Sequence, residues 1–103
     1  MRLILAAAIA VGLASSAAAA ERPATKAEIE RIAVGHLVSG KMRYEADGRY
    51  TYGGKFPGRY KISKGKVCVN FNDGGKRCDR IVTSDGKSFT LINSGGQRFS
   101  YSN

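Results

Sequence analysis

Histidine occurs once in the 103 residues, at position 36, tryptophan does not occur, cysteine and proline occur twice each, and 8 acidic residues face 17 basic ones. Each shortage closes off chemistry. Nucleophilic hydrolysis joins a nucleophile to a positioned base, yet His36 falls on a periodic apolar stripe, where it reads as a packed or partly exposed helix residue. A zinc site built on Cys68 and Cys78 needs two further ligands, and only His36 is on hand. A single histidine without an attachment motif is an equally thin basis for an axial haem ligand. Neither G-x-G-x-x-G nor the lysine-bearing phosphate loop is present, so the 13 glycines read as turns. No metal and no cofactor are expected.

The carboxylates are similarly committed. Glu28 belongs to a helix start, and Asp47, Asp73 and Asp85 each precede a glycine in a turn, which leaves no evident acid/base pair. Small secreted ribonucleases work with a carboxylate, a histidine and an arginine on a compact sheet, and Glu45, His36 and Arg59 can be assigned those roles, but no spacing recommends them. The chain is therefore read as a non-enzyme with no catalytic residues.

What is present begins with a leader. Met1 and Arg2 open it, Leu3 to Leu13 is apolar, and Ala14 to Ala20 is small, the order of a Sec signal peptide with Ala18-Ala19-Ala20 before the cut. A membrane anchor is the competing reading, but the alanine- and serine-rich second half suits a bilayer poorly. No cysteine near the cut offers a lipoprotein anchor, and no later segment is apolar enough to span a membrane. The expected organisation is a signal peptide at residues 1–20, a lead and helix at 21–40, and an antiparallel β-domain at 41–103, in the periplasm or secreted.

A domain this small buries a modest core, roughly 60% of its unfolded surface, and the cysteines can staple it. In an oxidising compartment Cys68 and Cys78 are expected to form a disulfide. Closing so short a loop is worth about 3 kcal/mol in the chain-entropy model.

Thr25 and Glu28 stand in the T-x-x-E arrangement of a capping box. Ile29, Ile32, Ala33, His36 and Leu37 follow at spacings of three and four, which predicts a helix of about three turns that stops at Gly40. Beyond it, apolar and charged residues alternate, and glycine turns recur about every ten residues. The expected strands are Lys41 to Ala46, Arg49 to Tyr52, Gly58 to Ser63, Lys66 to Phe71, Lys76 to Thr83, Ser88 to Asn93 and Gln97 to Ser102. About seven short strands in a small domain favour a curled, barrel-like meander over a flat sheet with long edges.

The cysteine hairpin permits a register argument. Opposed hairpin residues share a constant sum of positions, so Cys68 opposite Cys78 places Phe71 opposite Gly75, across a loop of Asn72, Asp73 and Gly74. Cys68 then shares its face with Lys66 and Asn70, while Val67, Val69 and Phe71 take the other. The bridge is expected on the more polar face.

The surface signal is the mixing of aromatics and bases at Tyr50, Tyr52, Phe56, Arg59, Tyr60, Lys61, Lys64 and Lys66. Rings that stack and cations that meet phosphate or carboxylate suit anionic polymers, although simple in/out alternation produces the same pattern. Nucleic acid is one such polymer, but not the favoured one.

Leu37 to Ile81, with Gly40, Asp47-Gly48, Tyr52, Gly58-Arg59-Tyr60, Gly65-Lys66-Val67-Cys68 and Cys78, resembles small exported β-rich proteins of unknown function from alphaproteobacteria. That resemblance implies a β-rich domain and supplies no known active site to carry over. Ser94, Gly95, Gly96, Gln97, Arg98 and Phe99 resemble the serine, glycine and basic-aromatic signature of periplasmic inhibitors of c-type lysozyme, without their tryptophan or their cysteine placement. It implies an inhibitory loop. The expected function is an exported binding domain for an anionic envelope component or a protein partner; the alternatives are an inhibitor of a secreted hydrolase and a small nuclease or hydrolase.

Overall fold

The computed structural model describes residues 20–103; the expected signal peptide up to Ala19 lies outside the described residues. The chain is mainly β. Among the described residues one helix, α1 (Lys26–Ala33), accompanies the strands β1 (Arg22–Pro23), β2 (His36–Val38), β3 (Met42–Tyr44), β4 (Arg49–Tyr52), β5 (Lys55–Ser63), β6 (Lys66–Phe71), β7 (Lys76–Thr83), β8 (Phe89–Ile92) and β9 (Arg98–Ser100). Strands β2 to β9 pair antiparallel in chain order, and β1 pairs with β7. The result is the curled meander that the alternation predicts.

Helix α1 starts where the capping box places it. The Glu28 amide donates to the Thr25 hydroxyl at 3.1 Å, and the Thr25 amide donates to the Glu28 carboxylate at 2.8 Å. Arg22 grips the same carboxylate from below through both Nη atoms, each at 2.8 Å. Ile29 and Ala33 are fully buried against the sheet.

The helix ends earlier than its apolar stripe predicts, and this corrects the expectation for His36 and Leu37. Gly35 takes a φ of 81° and donates its amide to the Tyr44 carbonyl at 2.7 Å, so the chain leaves the helix two residues after Ala33 and enters β2. His36 lies opposite Tyr44 and Leu37 opposite Arg43, both exposed. A histidine and a leucine of a strand fall by chance on the helical period.

The cysteine hairpin has the expected register. Cys68 is opposite Cys78, their Cα atoms are 4.0 Å apart, and the two form a disulfide. The Phe71 amide donates to the Gly75 carbonyl at 2.8 Å, so the cysteines occupy the next but two, non-hydrogen-bonded position, where opposed strands approach most closely. Val67 and Val69 are buried and the cysteines only half-buried on the other face.

The inner face collects Ile29, Val38, Met42, Tyr44, Tyr50, Ile62, Val67, Val69, Ile81, Phe89, Leu91 and Tyr101. Tyrosine dominates its middle. The Tyr44 ring meets Tyr50 at 5.2 Å, Tyr60 at 5.1 Å and Tyr101 at 6.3 Å between centroids, all edge-on, the geometry that aromatic quadrupoles favour. The Tyr44 hydroxyl donates to the Met42 sulfur at 3.6 Å, and burial pushes its pKa far above the ordinary tyrosine value.

Two glycines permit close approaches. A Cβ on Gly65 would come within 2.7 Å of the Pro23 Cβ, at the point where β1 takes over from β6 beside β7. On Gly58 a Cβ would come within 2.5 Å of the Asn70 carbonyl oxygen, next to a register shift between β4 and β5. Shape dictates glycine at both.

Candidate functional site

Strand alternation separates the aromatic and basic residues that the sequence interleaves. Tyr50, Tyr52 and Tyr60 point to the inner face, where Tyr50 is buried and the other two are half-buried. Arg59, Lys61 and Lys66 stand exposed on the outer face, and Lys64 is exposed in the turn between β5 and β6. One polymer strand therefore cannot stack on these tyrosines and contact these bases at the same time. Phe56, at a φ of 52°, is exposed but sits at the start of β5, outside that basic run.

The bases by themselves form an ordered surface. Arg49 is opposite Arg59, Arg59 opposite Asn70, and Asn70 opposite Lys76; one step along, Lys61 is opposite Cys68, which is bridged to Cys78; one step further, Lys66 is opposite Arg80. Cross-strand neighbours are about 5 Å apart and same-face residues along a strand about 6.6 Å, so cations here repeat at short, regular intervals. The outward positions of β4 to β7 hold no carboxylate. The disulfide lies within this surface and ties β6 to β7.

Two acids, Glu45 and Asp47, stand at the edge of this surface between β3 and β4, and Asp47 is the one held by an arginine. The Arg49 amide and Nε donate to its carboxylate at 3.1 and 2.8 Å, and these bonds, with the charge of Arg59 close by, lower its pKa. Arg59 Nη2 donates to the Asp47 carbonyl at 2.8 Å. Asp47 thus partners Arg49 at the rim, whereas Lys61, Lys66, Lys76 and Arg80 make no ion pair among the described residues.

The ribonuclease-like set does not assemble. Glu45 and Arg59 line one shallow outer depression with Arg49 and Asn72, but His36 is not part of it: its strand position, opposite Tyr44, faces the other side of the sheet. The Ser94 to Phe99 segment forms the β8–β9 hairpin, exposed throughout. Asn93 Oδ1 accepts from the amides of Gly95 at 3.0 Å and Gln97 at 2.9 Å, which fixes the loop from within. Arg98 pairs with Glu21, and Phe99 turns inward from β9, half-exposed.

Sequence reasoning missed Arg77 and Asp79. Both project to the inner face, and Arg77 Nε donates to Asp79 Oδ2 at 2.7 Å. The register rule contained the signal, because the same sum that opposes the cysteines opposes Arg77 to Val69 and Asp79 to Val67. Burial opposes the charge on Arg77, but the Asp79 carboxylate outweighs it and raises the arginine pKa. No family model matches the chain, and no curated protein or solved structure matches it either.

Proposed function

We propose that this chain is an exported, non-enzymatic binding domain that holds an anionic envelope component on the outer face of β5, β6 and β7. The observation that carries this reading is the carboxylate-free array of Arg59, Lys61, Lys66, Lys76 and Arg80 around the Cys68–Cys78 bridge. The stapled sheet holds the backbone spacing of these cations constant, and their uncompensated field draws in anions. The leader-like N-terminus and the disulfide both support export. No helix among the described residues is long and apolar enough to cross a membrane.

The test is binding of the disulfide-bonded protein to immobilised lipopolysaccharide across a salt series. With four bases engaged, and the counterion-release slope of nucleic acids as a guide, affinity should fall by about two orders of magnitude between about 50 and 200 mM salt. Lys61→Glu with Lys66→Glu should abolish binding, while Lys87→Glu, in the β7–β8 loop, should change it little. Equal losses from the two variants, or salt-independent binding, would refute the reading.

A second reading, inhibition of a secreted hydrolase, draws on the β8–β9 hairpin, because an exposed loop pre-ordered by Asn93 enters a partner's cleft at low entropic cost. Titration of c-type lysozyme with the protein tests it directly; full lysozyme activity at a large excess of the protein would rule it out.

A further inference from the structure

The inner face opens at one end into a cavity of about 500 Å³, within the size range of small-molecule sites. Its charged groups are Lys41, Arg77 and Asp79, Ser39, Tyr52, Asn93 and Ser94 are its uncharged polar residues, and Met42, Leu91 and Phe99 supply an apolar wall. This cavity lies on the opposite side of the sheet from the basic array.

Asp79 is its most informative member. The side chain is only 8% exposed, and while Oδ2 is held by Arg77, Oδ1 is buried without a hydrogen-bond partner among the described residues. A buried carboxylate oxygen left unpaired is unfavourable; Oδ1 and the Tyr101 hydroxyl are the two such side-chain atoms among the described residues, and of their two residues only Asp79 lines this cavity, where a small turn of its carboxylate would bring Oδ1 to a donor supplied from outside. Arg77 spends only Nε on Asp79, and its Nη atoms make no hydrogen bond among the described residues. Lys41 makes no ion pair there; its ammonium lies 5.9 Å from the centre of the Tyr52 ring, at the same cavity.

These groups specify a ligand by charge and by donor count. Arg77 and Asp79 cancel, and Lys41 leaves one positive charge, so a monoanion neutralises the site. The unpaired Oδ1 asks for a neutral O–H or N–H, and the wall of Met42, Leu91 and Phe99 asks for an apolar body. We propose that the cavity is a binding site for a small hydroxycarboxylate with an apolar chain, its carboxylate at Lys41 and the free Nη atoms of Arg77, its hydroxyl donating to Asp79 Oδ1. The site is independent of the outer basic face.

The probes are 3-hydroxyoctanoate, octanoate and 3-aminooctanoate, titrated calorimetrically into the disulfide-bonded protein. A hydroxyl bonded to an ionised acceptor should make 3-hydroxyoctanoate bind about tenfold more tightly than octanoate, and the zwitterionic amine, which brings no net charge, should bind more weakly than the hydroxy acid. Asp79→Asn should erase the hydroxyl preference. Lys41→Met, at an exposed position that does not threaten the fold, should weaken both acids together and leave the preference intact. Methyl spectra should place the ligand at Met42 and Leu91 in the unaltered protein, which keeps the test decisive if Asp79→Asn fails to fold. Equal affinity for octanoate and its hydroxy derivative, binding of neither, or shifts confined to methyls far from this cavity would overturn the proposal. Lys61→Glu with Lys66→Glu should leave this binding unchanged.

Discussion

Ser39 Oγ donates to the Ser100 carbonyl at 2.6 Å across a separation of 61 residues, and the Ser39 amide donates to the Ser102 carbonyl at 2.7 Å. These bonds join β2, the first strand of the curl, to the segment around β9, the last. Ser39 adopts a φ of 53° to make them, a conformation that costs a non-glycine residue something. Asn103 continues the seam by donating from Nδ2 to the Ile32 carbonyl at 2.8 Å.

Ser39→Ala should therefore destabilise the domain by about 1 kcal/mol, the net worth of one hydrogen bond. Ser39→Gly loses the same bond but relieves the backbone, so it should cost less than the alanine variant. Urea denaturation of both variants checks the order; alanine more stable than glycine would mean that the left-handed backbone at Ser39 carries no strain.

Removing the disulfide should lower stability by about 3 kcal/mol in the chain-entropy model without changing the strand register, since the Asn72-Asp73-Gly74 turn and the Val67 and Val69 contacts remain. Thermal melts of the oxidised protein and of Cys68→Ala with Cys78→Ala measure the difference. Thiol titration of the unreduced protein should find no free thiol, and two free thiols would contradict the staple.

Gly65 and Gly53 separate steric clash from backbone strain. Both have positive φ, 64° and 60°, but a Cβ on Gly53 meets nothing within 4 Å, whereas on Gly65 it strikes Pro23. Gly53→Ala should cost about 1 kcal/mol, from the left-handed backbone alone. Gly65→Ala should cost clearly more and should loosen β1, seen as faster amide exchange at Ala24, whose N–H bonds the Ile81 carbonyl. Equal costs would show that β1 yields easily.

Acid should attack the base of α1. The Arg22 guanidinium, with the Thr25 amide, lowers the Glu28 pKa to about 2, below the ordinary glutamate value near 4.3. A depressed folded-state pKa means that the unfolded chain binds the extra proton first. The contribution is thus complete above about pH 5 and drains away as pH falls toward 2. Asp47 and Asp85, also lowered, act in the same sense. Melting temperature should fall over that interval, and Glu28→Gln should flatten part of the fall; an unchanged slope would remove Glu28 from the account.

Alkali should act on the tyrosine cluster with the opposite sign. Burial raises the Tyr50 pKa to about 12, and Tyr44 and Tyr101 also lie above the ordinary value. The neutral hydroxyls stabilise the fold fully below about pH 10, and that stability is lost as pH climbs through the raised values. Tyrosinate absorbance above pH 10 should grow together with loss of the native circular dichroism. Full tyrosinate formation in a still-folded protein would contradict the packing of Tyr44 and Tyr50.

Much of this fold could be read from residue order. The alternation and its glycine turns predict β4, β6 and β7 at their observed bounds, and the sum rule predicts the cysteine register. These hairpins are local, so their signals are local. What escaped was non-local or masked. Two-residue β1 has no periodicity of its own and exists only because β7 offers an edge beyond the end of β6. Strand β2 was hidden by His36 and Leu37 continuing the helical spacing past Gly35. The start of β5 was obscured by Phe56 and Pro57, since proline is a poor strand signal. At the candidate site the bases were legible, but their separation from the tyrosines followed only once the register assigned each residue a face.

The order of pairing has a kinetic consequence. From β2 to β9 every strand bonds its neighbour in sequence, so the meander can zip up by short loop closures that keep the entropic barrier low. Among the described residues the unions that bridge the length of the chain are few: β1 with β7, Glu21 with Arg98, Ser39 with Ser100 and Ser102, and Ile32 with Asn103. Arg22 and Pro23 leave the ribosome before the strand they will join has been made, and must wait for it. The slowest step of folding should therefore be the docking of the chain's two ends, and mutations at Gly65 or Ser39 should speed unfolding far more than they slow the formation of the hairpins.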